Sequence, residues 1–189
     1  MNFPNKLTMI RMILIPVMIV LYLLINSLGQ ATYWLMGIVF FVASLTDYYD
    51  GKIARKRNIV TTFGKFMDPL ADKLLVMSSL LILADNYLIA PNMWMPFWFP
   101  IIILARELIV TSIRLVAVGE GKIIAASNLG KYKTATTMAA ILWYLFLMPI
   151  DLAWINYIGW ALMGLSLLLT VISGIDYFLK NKNIILESI

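Results

Sequence analysis

"TDYYDGKIARKRNIVTTFGKFMDPLADK", residues 46–73, sets Asp47, Asp50, Asp68 and Asp72 among two glycines and a run of cations. The chain around it is oily: of 189 residues, 62% are hydrophobic and only 13% are charged, too apolar for an ordinary soluble domain. A carboxylate near hydrocarbon is costly and is kept where it faces a cavity, a partner or a bound ion. The stretch therefore implies apolar helices that cross a bilayer and one polar site where they reach water.

Working outward, residues 12–46 carry no charge and are interrupted by "NSLGQ" at 26–30. One crossing takes about 20 residues, so this run predicts two spans joined by a tight turn. A third span is predicted over roughly 65–84 and a fourth over 96–118, joined by the Pro- and aromatic-rich "DNYLIAPNMWMPFWFP" at 85–100. A fifth follows at about 131–149, after the polar loop "GEGKIIAASNLGKYK", and the charge-free residues 152–175 make a sixth. The tail from Asp176 reads as short and polar. The turns near 27–31, 84–96 and 149–153 contain no lysine or arginine, so all 15 cations fall at or toward the other side. The positive-inside rule makes that side cytoplasmic, with both termini there. The expectation is an all-α integral membrane protein, one domain over 1–189, with six transmembrane helices around a cytoplasm-facing polar site. The net charge of +5 then reports topology and anionic lipid, not nucleic acid.

There is no cysteine and no histidine. Thiolate and imidazole ligation are excluded, so any metal must be held by oxygen, which favours hard ions such as magnesium or manganese. Asp47 and Asp50 are three residues apart, Asp68 and Asp72 four, and on helices each pair shares a face. Four facing carboxylates repel unless cations lie between them, and two divalent ions about 3.5–4 Å apart suit such a quartet. Gly51 and Gly64 leave room for a ligand or a second backbone. Arg55, Lys56 and Lys65 would attract anionic groups such as phosphates.

Asp47-x-x-Asp50-Gly51-x-x-Ala54-Arg55, eight residues, then Gly64-x-x-x-Asp68-x-x-x-Asp72 resembles the signature of the CDP-alcohol phosphotransferase family, and all eight fixed positions match. The resemblance implies transfer of a phosphatidyl group from CDP-diacylglycerol to an alcohol, with release of CMP. It implies that Asp47, Asp50, Asp68 and Asp72 ligate two divalent cations, Mg2+ or Mn2+, with Asp72 as base for the acceptor hydroxyl and Asp68 essential beside it. It also implies that Gly51, Ala54, Arg55 and Gly64 line the cytidine and diphosphate pocket, and that the protein is a homodimer.

Acceptor identity must come from outside the quartet. "PNKLTMIR" aligns Asn5, Thr8 and Arg11 along roughly one face, and Asn5 and Thr8 are counted with the CDP-diacylglycerol site. Arg106, Arg114, Lys131 and Lys133, with Lys65, form a cationic set suited to an acceptor that carries its own phosphate. The plainer reading for Arg114, Lys131 and Lys133 is membrane anchoring. For Arg106 it is an ion pair with Glu107, geometrically poor because adjacent helical residues point about 100° apart. "PNxLTxxR" and "GKxKT" resemble the phosphatidylglycerophosphate-forming branch of the family. The expected reaction is therefore transfer to glycerol 3-phosphate, in a multi-pass protein of the bacterial cell membrane. Another acceptor such as inositol phosphate, cardiolipin synthesis, a structural role for the ions, or divalent-cation transport remain the alternatives.

Overall fold

The computed structural model describes residues 3–56, 61–85, 95–119, 122, 124, 127–150 and 152–187, and every regular element among them is helical. Helices run Phe3–Leu23 (α1), Ile25–Leu28 (α2), Ala31–Lys56 (α3), Thr62–Asp85 (α4), Trp98–Gly119 (α5), Asn128–Phe146 (α6) and Ala153–Glu187 (α7), with a 3-10 turn at Met148–Ile150. The six long ones correspond in order to the six predicted spans. The "NSLGQ" break is a single helical turn ending at Gly29, whose φ of 58° is open to glycine and strained for other residues. The expected interfacial turn after Asp85 falls largely outside the described residues.

Asn5–Leu23 and Ala153–Lys182 are long and apolar enough to cross a membrane by length and composition, and Ala31–Asp47 is a shorter apolar segment. The other long helices are interrupted by charge: α4 by Asp68, Asp72 and Lys73, α5 by Arg106, Glu107 and Arg114. Two helices outlast their predicted spans. α3 runs through the acidic motif to Lys56, and α7 carries the supposed tail on to Glu187. Neither extension contains a proline, and Lys180 pairs with Asp176 one turn back at 2.8 Å, so the helices continue past their apolar stretches.

α1 packs along α3 and α4, α6 along α7 and α3, and α5 along α7. Met18, Met36, Phe40, Leu75, Leu83, Ile141 and Tyr144 form the buried centre. Around it, large apolar side chains such as Leu23, Phe97, Leu115 and Leu179 face outward. So much exposed apolar surface marks a contact with lipid or protein rather than water. Asp47, Asp68, Asp72, Lys131 and Lys133 lie toward the end of the bundle where α3 ends and α4 and α6 begin.

Candidate active site

Three residues of α1, spaced along one face, meet the acidic helices one by one. Arg11, fully buried, pairs through Nη1 with Asp47 of α3 at 2.6 Å. Thr8, also fully buried, donates its hydroxyl to Asp68 Oδ1 of α4 at 2.5 Å. Asn5 accepts from Thr61 Oγ1 at 2.9 Å, and Thr61 Oγ1 accepts from Gly64 N at 3.0 Å, capping the start of α4. A Cβ on Gly64 would lie 3.3 Å from Thr61 Oγ1 and 3.5 Å from both Asn5 Oδ1 and Asp68 Oδ2. The contact to the capping hydroxyl is the tight one, whereas those to Asn5 and Asp68 are ordinary van der Waals contact.

Asp47 and Asp72 open into a cavity of about 740 Å³ that is also lined by Lys73, Arg106, Glu107, Arg114 and Lys131. Asp68 is turned toward α1 but lies near enough to repel Asp47, as Asp47 repels Asp72. Arg114 donates from Nε to Tyr177 Oη at 3.1 Å, with its guanidinium carbon 5.5 Å from the ring centre. Lys131 is exposed in the first turn of α6, which Ser127 caps by accepting from Gly130 N at 3.1 Å. Lys133 is buried and lines a smaller pocket next to the cavity, along with Asp72, Lys73 and Glu107.

The Arg106–Glu107 ion pair, disfavoured by helical geometry, is present, with Nη1 3.0 Å from Glu107 Oε1. The long arginine side chain overcomes the angular offset by lying over Gly174, where a Cβ would come within 3.1 Å of its Cγ, and donating from Nη2 to Ser173 at 3.0 Å. Lys133 is likewise no surface anchor, since it donates to the same Glu107 oxygen at 2.7 Å.

A model of CDP-alcohol phosphatidyltransferases matches residues 1–172. The chain belongs to that family. Among relatives of the CDP-alcohol phosphatidyltransferases, a Bacillus subtilis protein is 40% identical over 190 residues, covering 95% of each chain. A Salmonella choleraesuis protein is 32% identical over 98% of each, and a Rickettsia typhi protein 37% identical over 94% of this chain and 95% of its own. Each of the three is named a CDP-diacylglycerol–glycerol-3-phosphate 3-phosphatidyltransferase.

Of the signature positions of the CDP-alcohol phosphatidyltransferase family, the structure brings Asp47, Gly64, Asp68 and Asp72 to one end of the bundle. The side chains of Asp50, Gly51, Ala54, Arg55 and Lys65 lie outside the described residues. As placed, no three acidic side chains among the described residues gather closely enough to enclose an ion. The donor set is all oxygen, and its neighbouring carboxylates repel one another, so its chemistry fits hard divalent cations. Sequence reasoning missed three participants: Arg11 as the partner of Asp47, Glu107 between two cations, and Lys73. Lys73 lines the cavity and donates to Thr111 Oγ1 at 2.5 Å. An arginine inside an otherwise apolar first helix was the available signal for Arg11.

Proposed function

We propose that this protein transfers the phosphatidyl group of CDP-diacylglycerol to sn-glycerol 3-phosphate, forming phosphatidylglycerol phosphate and CMP. The observation that carries this is one cavity lined both by Asp47 and Asp72, from α3 and α4, and by Arg106, Arg114 and Lys131, from α5 and α6. An acceptor bearing both a hydroxyl and a phosphate has a partner in each set. The names of the full-length relatives support the same acceptor. The six long helices span the bilayer with the acidic end at the cytoplasmic face, supported by cation-free turns at the opposite end.

The cationic wall holds the acceptor phosphate, and Asp72 takes the proton of the attacking hydroxyl. The acceptor oxygen bonds to the lipid-side phosphorus of the diphosphate as the bond from that phosphorus to the CMP oxygen breaks. Asp47, Asp50, Asp68 and Asp72 would hold divalent cations, which supply charge neutralisation at the donor diphosphate when bound. Thr8 and Arg11 keep Asp68 and Asp47 in place from behind. The deciding experiment measures CMP release by purified protein given CDP-diacylglycerol and a panel of alcohols. Glycerol 3-phosphate is expected to stimulate release, and Asp72→Asn to abolish it while the protein still inserts. Stimulation by inositol phosphate or phosphatidylglycerol instead would reassign the acceptor, and divalent-ion flux without any lipid substrate would favour transport.

A further inference from the structure

Glu107 was not counted among the expected site residues, yet it binds two of the expected cations. Its Oε1 accepts from Lys133 Nζ at 2.7 Å and from Arg106 Nη1 at 3.0 Å, so one oxygen ties α5 to α6. It lines both the large cavity and the small pocket that holds Lys133, and Asp72 lies on the wall of each. Lys73 is close enough to attract it as well. Among the described residues, no hydrogen bond reaches its second oxygen.

The side chains around it are held firmly. Lys133 is 4% exposed and Arg106 12%. Arg106 is fixed at its other nitrogen by Ser173, whose hydroxyl donates to Thr170 O at 3.1 Å. A buried ammonium is stable only beside a carboxylate with good geometry, and removing that carboxylate leaves an uncompensated charge that must move or be lost. We infer that Glu107 is a positioning residue for the acceptor: its carboxylate fixes Arg106 at the wall of the large cavity, where it meets the acceptor phosphate, and anchors itself through Lys133 in the adjoining pocket. It rests on the acceptor proposed above.

The sign of one measurement separates this role from that of a bystander. A carboxylate that merely sits beside a phosphate site repels the phosphate, so neutralising it strengthens acceptor binding. A carboxylate that fixes the cations has the reverse effect. Glu107→Gln, nearly the same shape, is expected to raise the KM for glycerol 3-phosphate about ten-fold or more, as loss of one member of a buried charge pair does at binding sites. The KM for CDP-diacylglycerol and kcat at saturation stay near wild type, and Glu107→Asp recovers part of the loss. A lowered or unchanged acceptor KM overturns the inference, as does a loss confined to kcat. A drop in thermal stability with no change in acceptor KM makes Glu107 structural only and overturns it too. If the glutamine variant does not fold, the shorter aspartate carries the same KM test. Absence of turnover by wild type with glycerol 3-phosphate removes the acceptor assignment and this inference together, whereas a working wild type with an indifferent variant removes the inference alone.

Discussion

Replacing Thr8 with valine removes one hydroxyl and little else. The two side chains share shape and β-branching, so helix propensity and packing in α1 are nearly unchanged. What is lost is the 2.5 Å hydrogen bond to Asp68 Oδ1. A hydrogen bond to a charged group contributes about 1.5–3 kcal/mol. Thr8 is fully buried but Asp68 is only partly so, and water can replace the donor at one oxygen, which favours the lower end. If the bond holds Asp68 for the reaction, about 1.4 kcal/mol corresponds to roughly a ten-fold fall in kcat. The assay is CMP release in mixed micelles at saturating CDP-diacylglycerol and glycerol 3-phosphate, with thermal unfolding followed in parallel. Thr8→Ser, which keeps the hydroxyl, is expected to retain most activity. Equal turnover by Thr8→Val and wild type would refute the claim that α1 holds Asp68 in place.

Two further substitutions probe opposite ends of the bundle. Gly174→Ala brings a methyl within 3.1 Å of Arg106 Cγ, so the arginine, held by Glu107 and Ser173, must give by a few tenths of an ångström. The acceptor KM should rise while thermal stability holds or improves, because alanine is favoured over glycine in a helix by about 1 kcal/mol. Tyr22→Phe removes the tyrosine hydroxyl's bond to Asp85, far from the cavity. A loss of about 1 kcal/mol, or some 2–4 °C in the unfolding midpoint of the solubilised protein, is expected with kinetics untouched.

The helices and the acidic end were legible because apolar run length and carboxylate spacing are local properties of the chain. Asp68 and Asp72 were expected on one face, and they are neighbours. Four residues advance about 400°, however, and the extra 40° suffices to turn one toward α1 and the other into the cavity. The partners were not legible. Arg11 with Asp47, and Lys133 with Glu107, join residues of different helices, and which side chains meet depends on how the helices are rotated against each other. Charge patterning marked Arg106, Arg114, Lys131 and Lys133 as a set. It could not reveal that a carboxylate stands between two of them, nor that Lys133 is buried. The apolar runs end near Asp47 and Asp176 while α3 and α7 continue, because counting apolar residues locates where hydrocarbon stops, not where helix does.

The ion pair between Arg11 and Asp47 also bears on how the protein is made. Synthesis delivers the arginine first, in a helix otherwise composed for lipid, and its carboxylate arrives only once α3 has been translated. A lone guanidinium in hydrocarbon is costly, so in the bilayer orientation proposed above α1 is expected to stay near the headgroups until α3 is available and to settle with it as a hairpin. On that reading, assembly of the acidic site begins during insertion, before the cations of α5 and α6 have been synthesised. A fragment ending just after Lys56 and freed from the ribosome is expected to contain that pair already.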